Sequence, residues 1–172
     1  MEKYLIHGKI MTMAEHRQGV KGNGESVVVR DFYEDGYIHI ADGKIAGIGG
    51  MEEWEHIGKG ITKEKDIEVM DVGGRIVMPG IIEAHCHMGI TEEKKGMEGD
   101  DCNENVEPVT PYLRAIDAIN PMDAAFDDAV RAGITSAMIG PGSANVVGGQ
   151  FAFVKTRGRR IDDLIVLAPA AM

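Results

Sequence analysis

Long apolar runs, cysteines and clustered basic residues are all scarce in this sequence, and each scarcity closes off a class of protein. No apolar run approaches the ~18 residues that span a bilayer, so no membrane segment is expected. The N-terminal MEKYLIHGKI lacks the apolar stretch of a secretory signal. Two cysteines, Cys86 and Cys102, are too few and too far apart for a disulfide framework or a CxxC zinc site. A reducing cytoplasm is the default setting. The formal net charge of -10 argues against nucleic acid, which rewards clustered lysine and arginine. The one basic cluster, Lys155–Arg160 (KTRGRR), reads as a surface turn in preference to a phosphate-binding patch. What is present is ordinary globular material. The 172 residues suffice for one domain or two small ones, and 44% hydrophobic content can build a core.

The first ~78 residues read as short strands joined by turns, the pattern of a small all-β unit. Lys3–His7 and Lys9–Met13 are candidate strands, and His16–Ser26 (HRQGVKGNGES) is a polar, glycine-bearing surface loop. Val27–Arg30 and Tyr37–Ala41 come next as strands. Asp42–Gly43 then separates Tyr37–Ala41 from Lys44–Ile48, a strong hairpin signal because both central residues of a type I′ turn need positive φ. Glu52–Ile57 suggests a brief helix, and Ile67–Asp71 a further strand closed by Gly73–Gly74.

From Arg75 the character changes. Ile76–Val77–Met78 and Ile81–Ile82 flank Pro79–Gly80, and successive apolar residues predict strands buried on both faces, as in a parallel α/β sheet. The acidic stretch 89–107 reads as a long loop. Asn120–Pro121–Met122–Asp123 predicts a helix start with Asn120 as N-cap and Pro121 at the first helical position. Gly133 ends that helix, and Ile134–Ile139 forms a second buried strand running into Gly140–Pro141–Gly142. Strand, loop, helix, strand is a βαβ unit with a parallel pair.

His85 and His87 stand two apart at the C-terminal end of the first buried strand. A period of two sends both imidazoles from one face, their roots ~6.6 Å apart, within reach of one cation. Cys86 then points to the other face and reads as a buried structural thiol. A bare HxH pair is a weak signal in a chain with six histidines. Its position, where the chain leaves a buried strand and enters a long loop, is what strengthens it, because (β/α)₈ barrels gather their chemistry at that strand end.

The stretch Val77–Met88, VMPGIIEAHCHM, resembles the first barrel strand of the amidohydrolase superfamily, with its PG-x-x-D-x-H-x-H signature. Asp42–Gly43–Lys44–Ile45 followed by Ile48–Gly49 resembles the hairpin of that superfamily's N-terminal β-sandwich. Runs similar to Pro108–Arg114 and Gly140–Gln150 place the resemblance nearest to the imidazolonepropionase-like branch. One departure stands out: Glu83 occupies the place where the signature has Asp. On the same face as the two histidines it accepts a hydrogen bond near the metal; on an equal footing, it merely faces polar loops.

The resemblance implies a divalent metal, Zn²⁺ ahead of Fe²⁺ or Mn²⁺, as one or two ions held in a barrel mouth. His85 and His87 are its first ligands, later strands supply further histidines, and a late-strand Asp shuttles protons. Water activated by the metal attacks a C–N bond of a cyclic amide, amidine or related small molecule. The remaining histidines, His7, His16, His39 and His56, all precede residue 85 and suit packing or surface roles. The late Asp and the later ligands are therefore not in this chain. The expected fold is a small N-terminal β-sandwich over 1–78 followed by the first part of a (β/α)₈ TIM-type barrel over 79–172. On that reading the chain is a truncated N-terminal portion, inactive alone. Unpaired strand edges predict a homo-oligomer or association with the missing C-terminal portion.

Weaker candidates complete the reading. Ser143, Asn145 and Gln150 come after the second strand and are candidates to face substrate. As a nucleophile Ser143 would need a histidine base, and none is near it in sequence. Lys155 is a candidate metal-bridging carbamate, with a surface lysine favoured. Asp100, Asp101 and Glu104 form an acidic loop, with solvation favoured over cation binding. The alternative to an enzyme is a non-catalytic binding or structural member of the same fold.

Overall fold

The computed structural model describes residues 2–14, 17–20, 26–61, 67–93 and 95–172. Its contacts divide the chain into two units, Met1–Pro79 and Gly80–Met172. Among the described residues no helix is long and apolar enough to cross a membrane.

In the first unit, β1 (Glu2–Met11) and β4 (Phe32–Ala41) pair antiparallel along their full ten-residue lengths. β5 (Lys44–Gly50) joins β4, while β6 (Ile67–Asp71) and β7 (Ile76–Val77) both pair parallel with β1. The result is a five-stranded mixed sheet. Helix α1 (Met51–Gly58) comes directly after β5. A separate two-stranded ribbon pairs β2 (Arg17–Val20) with β3 (Ser26–Val29). Where the resemblance implies a sandwich, the described residues thus form one sheet and one ribbon. Ile10, Tyr33 and Ile38 centre its core.

Two expectations need correction here. Lys3–His7 and Lys9–Met13 are not separate strands but one, kinked where the register shifts between Leu5 and Ile10. His7 takes a positive φ of 56° there, and its carbonyl accepts the Gly74 N–H at 2.7 Å. The kink lets one strand serve two successive parallel neighbours, β6 before it and β7 after it. Arg17–Val20, read as loop, is a strand, because Gln18 and Gly19 pair with Val28 and Val27. Positions 16 and 21–25 of that loop, His16 included, lie outside the described residues. The hairpin forms as expected: Asp42 and Gly43 have φ of 50° and 73°, the type I′ signature.

In the second unit, β8 (Ile81–Cys86) pairs parallel with β9 (Ile134–Ile139). The connection between them carries a 3₁₀ turn (Gly96–Gly99), a short α2 (Ala115–Ala118) and α3 (Ala124–Arg131). β10 (Phe151–Lys155) then returns antiparallel to β9. After α4 (Ile161–Leu164), β11 (Ile165–Ala171) runs antiparallel to β10. Sheet order is β11-β10-β9-β8. The parallel arrangement thus stops at β9: residues 140–150 contain no helix to make a crossover, so the next strand comes back antiparallel. Ala137, Ile139, Ala152, Val154 and Leu164 are completely buried and form the core with Phe126.

β8 departs from its expected burial. Ile81 and Ile82 are 47% and 61% exposed, since β8 is an edge strand with β9 on one side only. The helix cap also differs. Asp123, not Asn120, is the N-cap of α3, its side chain accepting the Ala125 N–H at 2.7 Å. Asn120 instead accepts the Met122 N–H in the turn just before. Gly133 comes after the helix with φ 86°, as expected of a C′ glycine.

Candidate functional site

The end of β8 carries Glu83, His85 and His87, and its backbone is not regular. Glu83 stands opposite Ala137 but Cys86 opposite Ile139, so three steps on β8 match two on β9. Such a bulge breaks strict alternation and re-aims side chains. Glu83, Cys86 and His87 consequently line one cavity with Ala129 and Ala137. His85 lines a different cavity of about 630 Å³ with Met138, Ser143, Phe151 and Met172. For this reason three expectations fail: Glu83 and His87 do not share the face of His85, and Cys86 does not point away from His87.

The two imidazoles nevertheless remain neighbours. Their centroids lie 5.3 Å apart with the planes at 88°. His87 Nδ1 is 2.7 Å from the Gly140 carbonyl oxygen. A carbonyl can only accept, so Nδ1 carries a proton; in the neutral ring the lone pair is then on Nε2. Metal-ligating histidines are usually oriented by a hydrogen bond of this kind from the ring nitrogen that does not face the metal. His85 is exposed and packs against the Phe151 ring at 5.3 Å. Glu83 folds back so that its carboxylate accepts the His85 backbone N–H at 3.0 Å. It touches the backbone of the pair and not a ring. Burial pushes the Cys86 thiol up from its ordinary value and Glu83 adds to this, against a backbone hydrogen bond from Met88. A thiol so shifted is a poor thiolate.

The other sequence candidates separate. Ser143 lines the His85 cavity and is exposed. Asn145 borders the same cavity, but its amide donates to the carbonyls of Glu104 and Glu107 at 2.9 and 3.0 Å. Gln150 donates to the Pro111 carbonyl at 3.0 Å. Both amides tie the loop after β9 to the loop before α2. Lys155 is exposed and donates to the buried Ser136 hydroxyl at 3.3 Å. Asp100 accepts from the Cys102 N–H, and Glu104 from the Val106 N–H, so both shape turns. Residues 157–160 are exposed. In the first unit His7 meets Asp35, His39 stacks on Tyr4 with the planes 3° apart, and His56 meets the Glu52 carbonyl. Among the described residues no group of three or more His, Cys, Asp or Glu side chains is placed to hold a metal. Sequence reasoning missed Gly140 and Phe151, which hold the two rings. The Gly-Pro-Gly turn was visible, but nothing in a residue's type announces where its carbonyl points.

Comparison with known proteins gives the class. No family model matches the chain. It is 36% identical over 109 residues to the amidohydrolase tasK of Hapsidospora irregularis, covering 63% of this chain and 11% of that protein. It is 36% identical over 61 residues to a 5-methylthioadenosine/S-adenosylhomocysteine deaminase of Symbiobacterium thermophilum, covering 36% of this chain and 12% of the relative. The crystal structure of an amidohydrolase from Thermotoga maritima matches 98% of this chain with a TM-score of 0.71 and 30% identity, over 37% of that chain. The chain belongs to the amidohydrolase superfamily. It spans well under half the length of each of these relatives.

Proposed function

We infer that the chain contributes the first ligand strand of a metal-dependent amidohydrolase that hydrolyses a C–N bond of a cyclic amide, amidine or related small molecule. The observation that carries this reading is the His85–His87 pair at the C-terminal end of β8, with His87 Nδ1 held by the Gly140 carbonyl. The residues present fit part of a divalent site. Imidazole nitrogens are donors suited to Zn²⁺, with Fe²⁺ or Mn²⁺ as alternatives, and the other positions of one or two ions fall to groups outside this chain. When bound, the cation supplies a Lewis acid that activates water and polarises the scissile group. His85 and His87 hold it, Glu83 steadies the backbone at His85, and Ser143 borders the space open to a substrate.

The same reading assigns β8, α3 and β9 to the opening of a (β/α)₈ barrel over 79–172, preceded by sandwich strands over 1–78, in the imidazolonepropionase-like branch. It supports a cytoplasmic setting, with Cys86 and Cys102 both free. Ile82 on β8 and Val166 and Leu167 on β11 are more than half exposed on the two outer strands of the sheet. Further strands, from the remainder of the enzyme or from a second copy, cover such edges.

The test is zinc affinity by competition with a chromophoric chelator, for the chain and for its His85→Ala/His87→Ala variant. Loss of binding in the variant is the expected result. Equal affinity in the two proteins sinks the reading.

A further inference from the structure

We propose that Gly140 is the positioning residue of the histidine pair, acting on both imidazoles at once; this rests on the metal-site reading above. Three ties run from this one residue to β8 and its surroundings. Its N–H donates to the Cys86 carbonyl at 3.2 Å, between the two histidines. Its carbonyl accepts the His87 Nδ1–H at 2.7 Å. Its missing side chain makes room for Phe151, because a Cβ at position 140 would collide with that ring. Phe151 in turn packs against His85. The first residue beyond β9 thereby sets the tautomer of one ligand and the resting place of the other.

The arrangement has a mechanical logic. β8 is an edge strand with an irregular register around Ala84 and His85, so its own ladder does little to fix the two rings. Fully buried Ile139 precedes Gly140 and anchors the turn that does. Adding a methyl group at 140 must move either Phe151 or the Gly140 backbone, and so releases His85 or His87.

The experiment uses the full chain, Gly140→Ala and Phe151→Ala, with two readouts. Side-chain nitrogen NMR reports the His87 tautomer without metal, and chelator competition reports zinc affinity. Gly140→Ala is expected to mix the His87 tautomers and to weaken zinc binding about 10- to 100-fold, as loss of such outer contacts does. Phe151→Ala is expected to weaken zinc binding while leaving His87 in its Nδ1–H form. Unchanged affinity and tautomer in Gly140→Ala overturns the proposal, as does an Nε2–H tautomer of His87 in the parent chain. If Gly140→Ala does not fold, the parent tautomer and Phe151→Ala decide. Failure of the metal-site reading is distinct: zinc affinity is then indifferent to His85→Ala/His87→Ala, whereas the tautomer readout still tests the Gly140 contact.

Discussion

His85 and His87 meet edge to face, with centroids 5.3 Å apart and planes at 88°, although they line different cavities. The bulge in β8 splits the two side chains, and contacts from beyond β9 bring the rings back together. Phe151 restrains one and the Gly140 carbonyl the other. A regular strand would need no such help. The site therefore depends on the loop after β9 as much as on the strand that carries the histidines.

The hairpin between β4 and β5 turns on Gly43, with φ 73°. Gly43→Ala places a Cβ in left-handed backbone and is expected to cost about 1–2 kcal/mol. Urea unfolding of the first unit measures it as a lowered midpoint with an unchanged slope.

Asp123 carries two loads. One carboxylate oxygen accepts the Ala125 N–H that caps α3, and the other accepts the Glu93 N–H, both at 2.7 Å. Asp123 is 6% exposed, and Asp123→Ala leaves both part-buried backbone donors without this acceptor. A loss of about 2–3 kcal/mol is expected, with Asp123→Asn losing less. Denaturant titration of the second unit reads the difference.

Alkaline stability is tied to Tyr37. Burial, with the Glu53 carboxylate beside it, pushes its phenol from 10.0 to about 12. A raised folded-state value means that stability is intact below pH ~10 and is lost as pH rises toward ~12, where the unfolded chain ionises first. The expected loss is roughly 2 kcal/mol. Tyr37→Phe should flatten the stability profile over that interval; a profile that falls as steeply as before would show another group at work.

What the sequence made legible was local chemistry. Asp42–Gly43 specifies its turn by itself, and Gly133 ends a helix for the same kind of reason. Asn120 and Asp123 illustrate the limit: both are good caps within four residues, and only the packing of Asp123 against Glu93 decides which one caps α3. Pairing partners are non-local, so nothing in Phe151–Lys155 announced an antiparallel return, and nothing in Lys3–Met13 announced one kinked strand with two parallel neighbours. At the candidate site the histidine pair was visible as residue types. The bulge that turns Glu83 away from His85, and the carbonyl that orients His87, were not, because both are backbone features set by a neighbouring strand and turn.

The central claim is that His85 and His87 bind one divalent cation together. X-ray absorption at the zinc edge of the zinc-loaded chain tests it most directly. The account predicts imidazole nitrogen scattering that disappears in His85→Ala/His87→Ala. A spectrum dominated by sulfur from Cys86 or Cys102, or one unchanged in that variant, would contradict it.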